Sequence, residues 1–370
     1  MPDTDGASPR RDGRSRGGAP RSRSSGRDDP LYGALDLGTN NCRLLIARPA
    51  RDGFRVVDSF SRIVRLGEGL SHSGRLDAAA MDRAYDALGQ CAERLARRGL
   101  SARRISAVAT QACRIAENGA DFIERVRRGT GLELRVIDPQ EEARLSVQGC
   151  LNLFDPAAQA VLVIDVGGGS TEMSWLKRDA RGELRTQAWM SAPLGVVTLA
   201  ERHPEPEPSS PDWYEAMVAD MQAAIRAGGV EDAGMRDLFA RGAAQLVGTS
   251  GAITSLAGIH LRLPRYQRDR VDGLWMTSEE CRRAADRLMA LGPAGRAAEP
   301  CIGPDRADLV LAGAAILEAV QRAWPCERVR VADRGLREGL LLTRMRQDRR
   351  NRRRRRRGGG QAAGAAPPVT

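Results

Sequence analysis

The chain has 370 residues, 42% of them apolar, enough for a sizeable core and more than one domain usually needs, so two domains are expected. No apolar run approaches the roughly 18 residues of a membrane span, and no apolar segment follows the charges of "MPDTDGASPRRDGRSRGG", which predicts a cytoplasmic protein. Of the formal +11 charge, +2 falls in residues 1–29 and +9 in residues 344–357, where ten Arg face one Asp, so the stretch between them is neutral.

Side-chain counts exclude some chemistry. Lys177 is the only lysine and sits in "WLKRD", so there is no Walker G-K-[ST] loop. The three histidines (72, 203, 260) rule out an H-E-x-x-H zinc site. The seven cysteines are scattered without a C-x-x-C pair, and read as buried or free thiols. Phosphate chemistry, if present, falls to glycine amides, arginines and carboxylates.

Residues 1–30, rich in Arg, Ser and Gly, are expected to be disordered, as is the Arg-rich tail over 344–370. After the first tail, "YGALDLGTNNCRLLIARP" and "GFRVVDSFSRIVRL" read as the strands of a β-meander. Apolar positions from Met81 to Leu95 keep helical spacing, with Asp77 as N-cap. "RISAVAT" reads as a strand, "ADFIERVRR" as a helix, "LELRVID" as a strand and "PQEEARLSVQGCLNLF" as a helix.

The plan then repeats. "GALDLGTNNCRL" overlays "LVIDVGGGSTEM" with Asp36 on Asp165 and Gly38 on Gly167. Further on, "QLVGTSGAITSLAGI" and "RVRVADRGLREGLLL" each read as a strand, a turn and a helix. The prediction is an α/β protein of two domains, 31–138 and 139–343, with mixed sheets flanked by helices and the two Asp-Gly turns facing each other across a ligand cleft; the final helix is left free to pack on the first domain.

Glycine-rich hairpin tips leave backbone N–H groups bare for phosphate oxygens, and neighbouring hydroxyls add donors. The carboxylates at the strand ends, Asp165 and with it Asp36, suit Mg²⁺ carried by a phosphate chain. From the residues alone, Gly167, Gly168 and Gly169 also fit a plain tight hairpin.

Together, "ALDLGTNNCRLLIA", "VIDVGGGSTEMSW", "ATQACRIAEN", "VIDPQEEARL", "LVGTSGAITSLAGI" and "VADRGLREGLL" resemble the exopolyphosphatase and guanosine pentaphosphate phosphatase (Ppx/GppA) family, over roughly residues 31–342. The resemblance implies two ribonuclease H-like domains of the actin-like ATPase superfamily. It also implies removal of the terminal phosphate of inorganic polyphosphate or of the 5′ phosphate of guanosine pentaphosphate, with Mg²⁺ or another divalent cation. Substrate phosphates would meet Asp36, Gly38, Thr39, Asn40, Asn41 and Arg43 in the first turn and Gly167, Gly168, Gly169, Ser170 and Thr171 in the second. Two departures stand out. The first loop reads Thr39-Asn40-Asn41 where the family commonly has Ser-Asn-Ser, and no room follows Leu342 for the extra helical region of some members.

Hydrolysis needs an oriented water. Asp138 reads as an N-cap, Pro139 as the first helical residue and Glu141 as the capping-box residue, a structural role. Glu142 shares a face with Ser146 and Gly149, and by the family's pattern it is the catalytic carboxylate. On residues alone, a solvated first-turn Glu fits as well. Arg43 and Arg114 match family positions that meet phosphate, and Arg114 is counted with Glu142 as catalytic. Glu172 reads either as a metal ligand with Asp165 or as a residue on the outer face of its strand.

A kinase of the same superfamily and a non-catalytic sensor of polyphosphate or alarmone are the alternative functions. The Arg-rich tail is expected to touch polyanions if it acts at all, and a homodimer is left open.

Overall fold

The computed structural model describes residues 30–51, 53–229 and 234–358, with side chains described as far as residue 352. The expected disorder of residues 1–29 and 359–370 lies outside the described residues.

The chain builds two mixed sheets. The first is a meander of β1 (Tyr32–Leu37), β2 (Asn41–Ala50) and β3 (Gly53–Ile63), with β4 (Ile105–Ala109) parallel to β1 and β5 (Arg135–Val136) at the edge, in the order β3-β2-β1-β4-β5. The second repeats the plan with β6 (Ala160–Val166), β7 (Thr171–Arg178), β8 (Leu184–Ala192), β9 (Ala244–Thr249) and β11 (Arg328–Ala332), and adds β10 (Trp275–Thr277) beyond β11. In both, a three-stranded antiparallel meander is followed by two strands parallel to its first. β1 and β6 are buried along nearly their whole length, because each has a strand on both sides and helices over its faces.

Local signals explain most boundaries. Asp77 caps the helix Ala78–Arg97 by accepting from the N–H groups of Ala79 and Ala80, and Asp138 caps Pro139–Cys150 by accepting from Glu141 N. The strand expected at "LELRVID" shrinks to two exposed residues, since β5 pairs only with β4 and at two positions. The seven cysteines are unpaired thiols, six of them buried. Among the described residues no helix is long and apolar enough to cross a membrane.

Two helices bridge the halves. Pro139–Cys150 gives Leu145 to the core under the first sheet and Val147 and Cys150 to a cluster with Val161, Val163 and Val247 of the second. The last helix, Leu336–Gly358, follows β11 yet packs Leu336, Leu340 and Leu341 onto Tyr32, Ala34 and Leu45 of the first sheet. The two helices touch almost backbone to backbone. A Cβ on Gly149 would run into the carbonyl of Gly335, and one on Gly339 into that of Leu145.

The last helix also corrects the expectation of disorder from residue 344. It stays helical through Gly358, since arginine is a good helix former and the Tyr32 hydroxyl donates to Asp348 at 2.5 Å, fixing the fourth turn to the first sheet.

Candidate active site

The two Asp-x-Gly hairpins are closed by the same hydrogen bond. Gly38 N–H donates to Asn41 O at 2.8 Å, and Gly167 N–H to Ser170 O at 2.9 Å. Across each hairpin the partner of the aspartate differs: Asp36 faces Arg43, and Asp165 faces Glu172. The tips meet each other. A Cβ on Gly168 would lie 2.9 Å from Thr39 Cβ and 3.0 Å from Asn40 N, so the bare backbone serves contact between the lobes as well as ligand access. The carbonyls of Gly167 and Gly168 accept from the N–H groups of Val196 and Val197 at the start of the helix Val196–Arg202, at 3.0 and 2.7 Å. That fixes the loop while the N–H groups of Gly168 and Gly169 keep no partner among the described residues.

Beside the tips lies a cleft of about 1100 Å³. Its walls include Asp36, Gly38, Thr39, Asn40, Asn41, Arg43, Glu142, Asp165, Gly167, Gly168, Gly169 and Ser170, which brings together most of the residues singled out from the sequence. Thr171, Glu172 and Arg114 are not in the wall. Thr171 is wholly buried and its hydroxyl donates to Leu194 O at 2.7 Å, so it is no ligand donor. Glu172 is 2% exposed behind the loop, and one carboxylate oxygen accepts from the hydroxyls of Ser170 and Ser191, both at 2.7 Å. Burial of this kind excludes an outer-face residue. Arg114 stands behind Glu142; it donates to Ile137 O at 2.7 Å and reaches Glu142 Oε2 at 3.4 Å.

The neighbouring glutamates separate as expected, with one correction. Glu142 is buried in the cleft wall. Glu141 turns outward, but it does not close a capping box on Asp138; a bidentate pair with Arg135 takes its carboxylate instead. On the same face as Glu142, Ser146 donates a short hydrogen bond to Asp165, and Gly149 admits the last helix.

Burial sets the electrostatics. It pushes Asp36 up to about 6 and Glu172 up to about 7 and raises Asp165, while Glu142 is raised well above the usual carboxylate range by burial and by Glu172, Asp165 and Asp36. Opposite them, desolvation and then Arg337 lower the affinity of the Arg43 guanidinium for its proton. Arg43, Arg306 and Arg337 line the cleft, and none has a hydrogen-bonded or ion-paired partner among the described residues. The oxygens Asp36 Oδ1, Asn40 Oδ1, Asn41 Oδ1 and Gln111 Oε1 are also buried and unpartnered. A cleft with idle cationic donors on one side and idle oxygens on another suits an anion that arrives with a cation.

Sequence reasoning missed Arg306, Arg337 and Glu338. The last two lie within "VADRGLREGLL", where Glu338 accepts from Gly335 N and Arg268, both at 2.9 Å. Arg306 carried no signal, being one arginine among many in a turn that only the fold brings to the cleft.

Residues 45–348 match the Ppx/GppA phosphatase family. The chain is 28% identical over 321 residues to Exopolyphosphatase 1 of Mycobacterium tuberculosis, covering 85% of this chain and 88% of that protein. Among solved structures, it is similar to an Aquifex aeolicus Ppx/GppA family member (25% identity, TM-score 0.69, 86% of this chain and 98% of that one). It also shares its fold with an exopolyphosphatase from Cytophaga hutchinsonii (23% identity, TM-score 0.74, 85% and 97%).

Proposed function

The chain belongs to the Ppx/GppA phosphatase family, and on that premise we propose that it releases the terminal phosphate of inorganic polyphosphate, the 5′ γ-phosphate of guanosine pentaphosphate, or both, by attack of a water held by Glu142. The observation that carries this reading is the placement of Glu142, a buried carboxylate in the wall of a cleft that also holds two glycine tips and three arginines whose side chains are unpaired among the described residues.

The chain end would lie against the N–H groups of Gly168 and Gly169 and the Ser170 side, with Arg43, Arg306 and Arg337 on its non-bridging oxygens. Glu142 would orient a water toward the terminal phosphorus and accept its proton. A raised proton affinity suits that task, because a carboxylate of ordinary acidity is a weak base at neutral pH. As the water oxygen bonds to phosphorus, the bond to the bridging oxygen breaks, and the shortened chain leaves with that oxygen. Arg114 acts as a positioning residue, held by Ile137 O and aimed at the glutamate.

The residues present fit a hard divalent cation. The donors are oxygens, Asp36 Oδ1 and two asparagine carbonyls lack partners among the described residues, and Asp165 lines the same wall. Mg²⁺ takes one or two carboxylates and completes its shell with water and phosphate, so these two aspartates are enough for it. Asp165 and Asp36 would hold it, and when bound it would neutralise charge on the phosphate oxygens.

The test is orthophosphate release from tripolyphosphate, long polyphosphate and guanosine pentaphosphate, with and without Mg²⁺ and with no phosphoryl acceptor present. Cation-dependent release supports the hydrolase. Binding without release would return the protein to the sensor reading, and release only with an added acceptor would make it a kinase.

A further inference from the structure

The last helix begins in the cleft and ends in the strongest concentration of charge on the chain. Leu336, Arg337 and Glu338 line the cleft, and residues 344–357 of the same helix carry ten Arg against one Asp. At about 1.5 Å per residue, Arg346 stands roughly 14 Å along the axis from Arg337. Docking sorts the side chains of this segment. On the side facing the first sheet, Arg344 donates to the carbonyl of Arg103, and Asp348 accepts from Tyr32 and from Arg352. Arg346, Arg349 and Arg350 are exposed and spaced i, i+3, i+4, and none has a hydrogen-bonded or ion-paired partner among the described residues. A solvated face normally mixes signs; this one has three guanidiniums together, on a helix whose position is fixed by packing.

Building on the polyphosphate reading, we propose that the exposed Arg346, Arg349 and Arg350 face of the last helix is a second binding surface for long inorganic polyphosphate, holding the body of a chain whose end occupies the cleft. Charge complementarity and shared support by one rigid helix argue for this occupant. The composition argues against nucleic acid as the intended partner. Single-stranded nucleic acid is held by aromatic platforms as well as charge, and residues 336–358 contain no Phe, Tyr or Trp; the nearby Tyr32 is buried, with its hydroxyl engaged. A surface of guanidiniums without stacking rings suits a polyanion without bases. Chains of a few phosphates would end inside the cleft and gain nothing from it, whereas a long chain would be held at two places and so at a raised local concentration.

The experiment compares the wild-type chain with the triple variant Arg346→Gln, Arg349→Gln, Arg350→Gln, which keeps the helix length and the docked face. Phosphate release from tripolyphosphate and from long polyphosphate is titrated at low and high salt, and binding of end-labelled long polyphosphate is followed by anisotropy. The expected result is a KM for the long chain raised about tenfold at low salt, with kcat and the tripolyphosphate KM unchanged. The log–log slope of binding against salt should become shallower by roughly 2, about 0.7 for each lost phosphate contact. Unchanged long-chain KM and binding would overturn the proposal. So would single-stranded RNA competing at equal or lower concentration than polyphosphate, or an equal loss on both substrates, which would mark a damaged helix. Failure of the catalytic reading has a different signature: the wild-type chain would release no phosphate from tripolyphosphate.

Discussion

Arg43 and Glu172 occupy the same place in the two copies of one hairpin. Arg43 lies across from Asp36 and Glu172 across from Asp165, and the spacing that separates the aspartates also separates Gly38 from Gly167. One copy therefore presents a cation to the cleft, while the other keeps a buried carboxylate behind its tip, held by Ser170 and Ser191. The repeated hairpin supplies the frame, and the difference at this one pair makes the cleft two-sided in charge.

Replacing Glu142 by Gln should lower kcat by roughly 10² or more while phosphate binding persists, because the amide cannot take the water's proton. Glu141→Gln should leave turnover intact and cost no more than ~1 kcal/mol, since its pair with Arg135 is partly exposed to solvent. Steady-state kinetics with thermal melts of both variants decides it. The reverse pattern would place the reactive carboxylate one position earlier.

Chelation should abolish release, and Asp165→Asn should raise the Mg²⁺ concentration needed for half-maximal rate, because an amide is a poorer ligand for a hard cation. Ser146→Ala gives a finer test. It removes a donor to Asp165 without touching charge, so the metal titration should move less than in Asp165→Asn. A wild-type metal titration in Asp165→Asn would remove that residue from the cation site.

Stability without a divalent cation should fall as pH rises. Asp36 and Glu172, at about 6 and 7 in the fold, exceed their unfolded values near 3.8 and 4.5, so the folded chain holds protons that the unfolded chain releases. Stability from this source is complete below about pH 4 and lost between there and pH 7. Exposed acids such as Glu141, held low by Arg135, act in the opposite sense and only as the medium becomes more acidic than their ordinary range. In chelator, Tm should drop by a few degrees from pH 5 to pH 8, and Mg²⁺ should restore more at pH 8 than at pH 5. A Tm in chelator that rises steadily across this range contradicts the cluster's role.

The site was legible where chemistry is local to the chain. Asp-x-Gly at two strand ends, read against its repeat, located both tips, and the cap at Asp138 separated Glu141 from Glu142 by geometry a helix imposes. What escaped depended on tertiary contact. Thr171 follows four tip residues that line the cleft, but the first strand residue after the turn points into the core toward Leu194. Arg306 reaches the cleft from a turn whose neighbours are tied to the other lobe, through Arg65 on Asp308 at 2.8 and 2.9 Å and on Asp305 O at 3.2 Å. The arginine block was expected to be disordered because composition does not register the Tyr32 hydroxyl waiting for Asp348.

Two helical glycines should respond to alanine with opposite signs. Gly89 lies inside the helix Ala78–Arg97 with nothing within 4 Å of an added Cβ, so Gly89→Ala restricts the unfolded chain, improves helix propensity and should stabilise by about 0.5–1 kcal/mol. Gly149 lies where the Glu142 helix crosses the last helix, and its Cβ would meet the backbone of Gly335, which no rotamer change can clear. Gly149→Ala should destabilise by about 1–3 kcal/mol, as overpacking does. Because Gly335 and Arg337 belong to the cleft wall, it should also raise KM. Denaturant melts of both variants, with kinetics at a temperature where both are folded, separate the two effects. If Gly149→Ala melts like wild type with an unchanged KM, the crossing is looser than the structure gives it, and the last helix does not depend on the Glu142 helix for its place in the cleft.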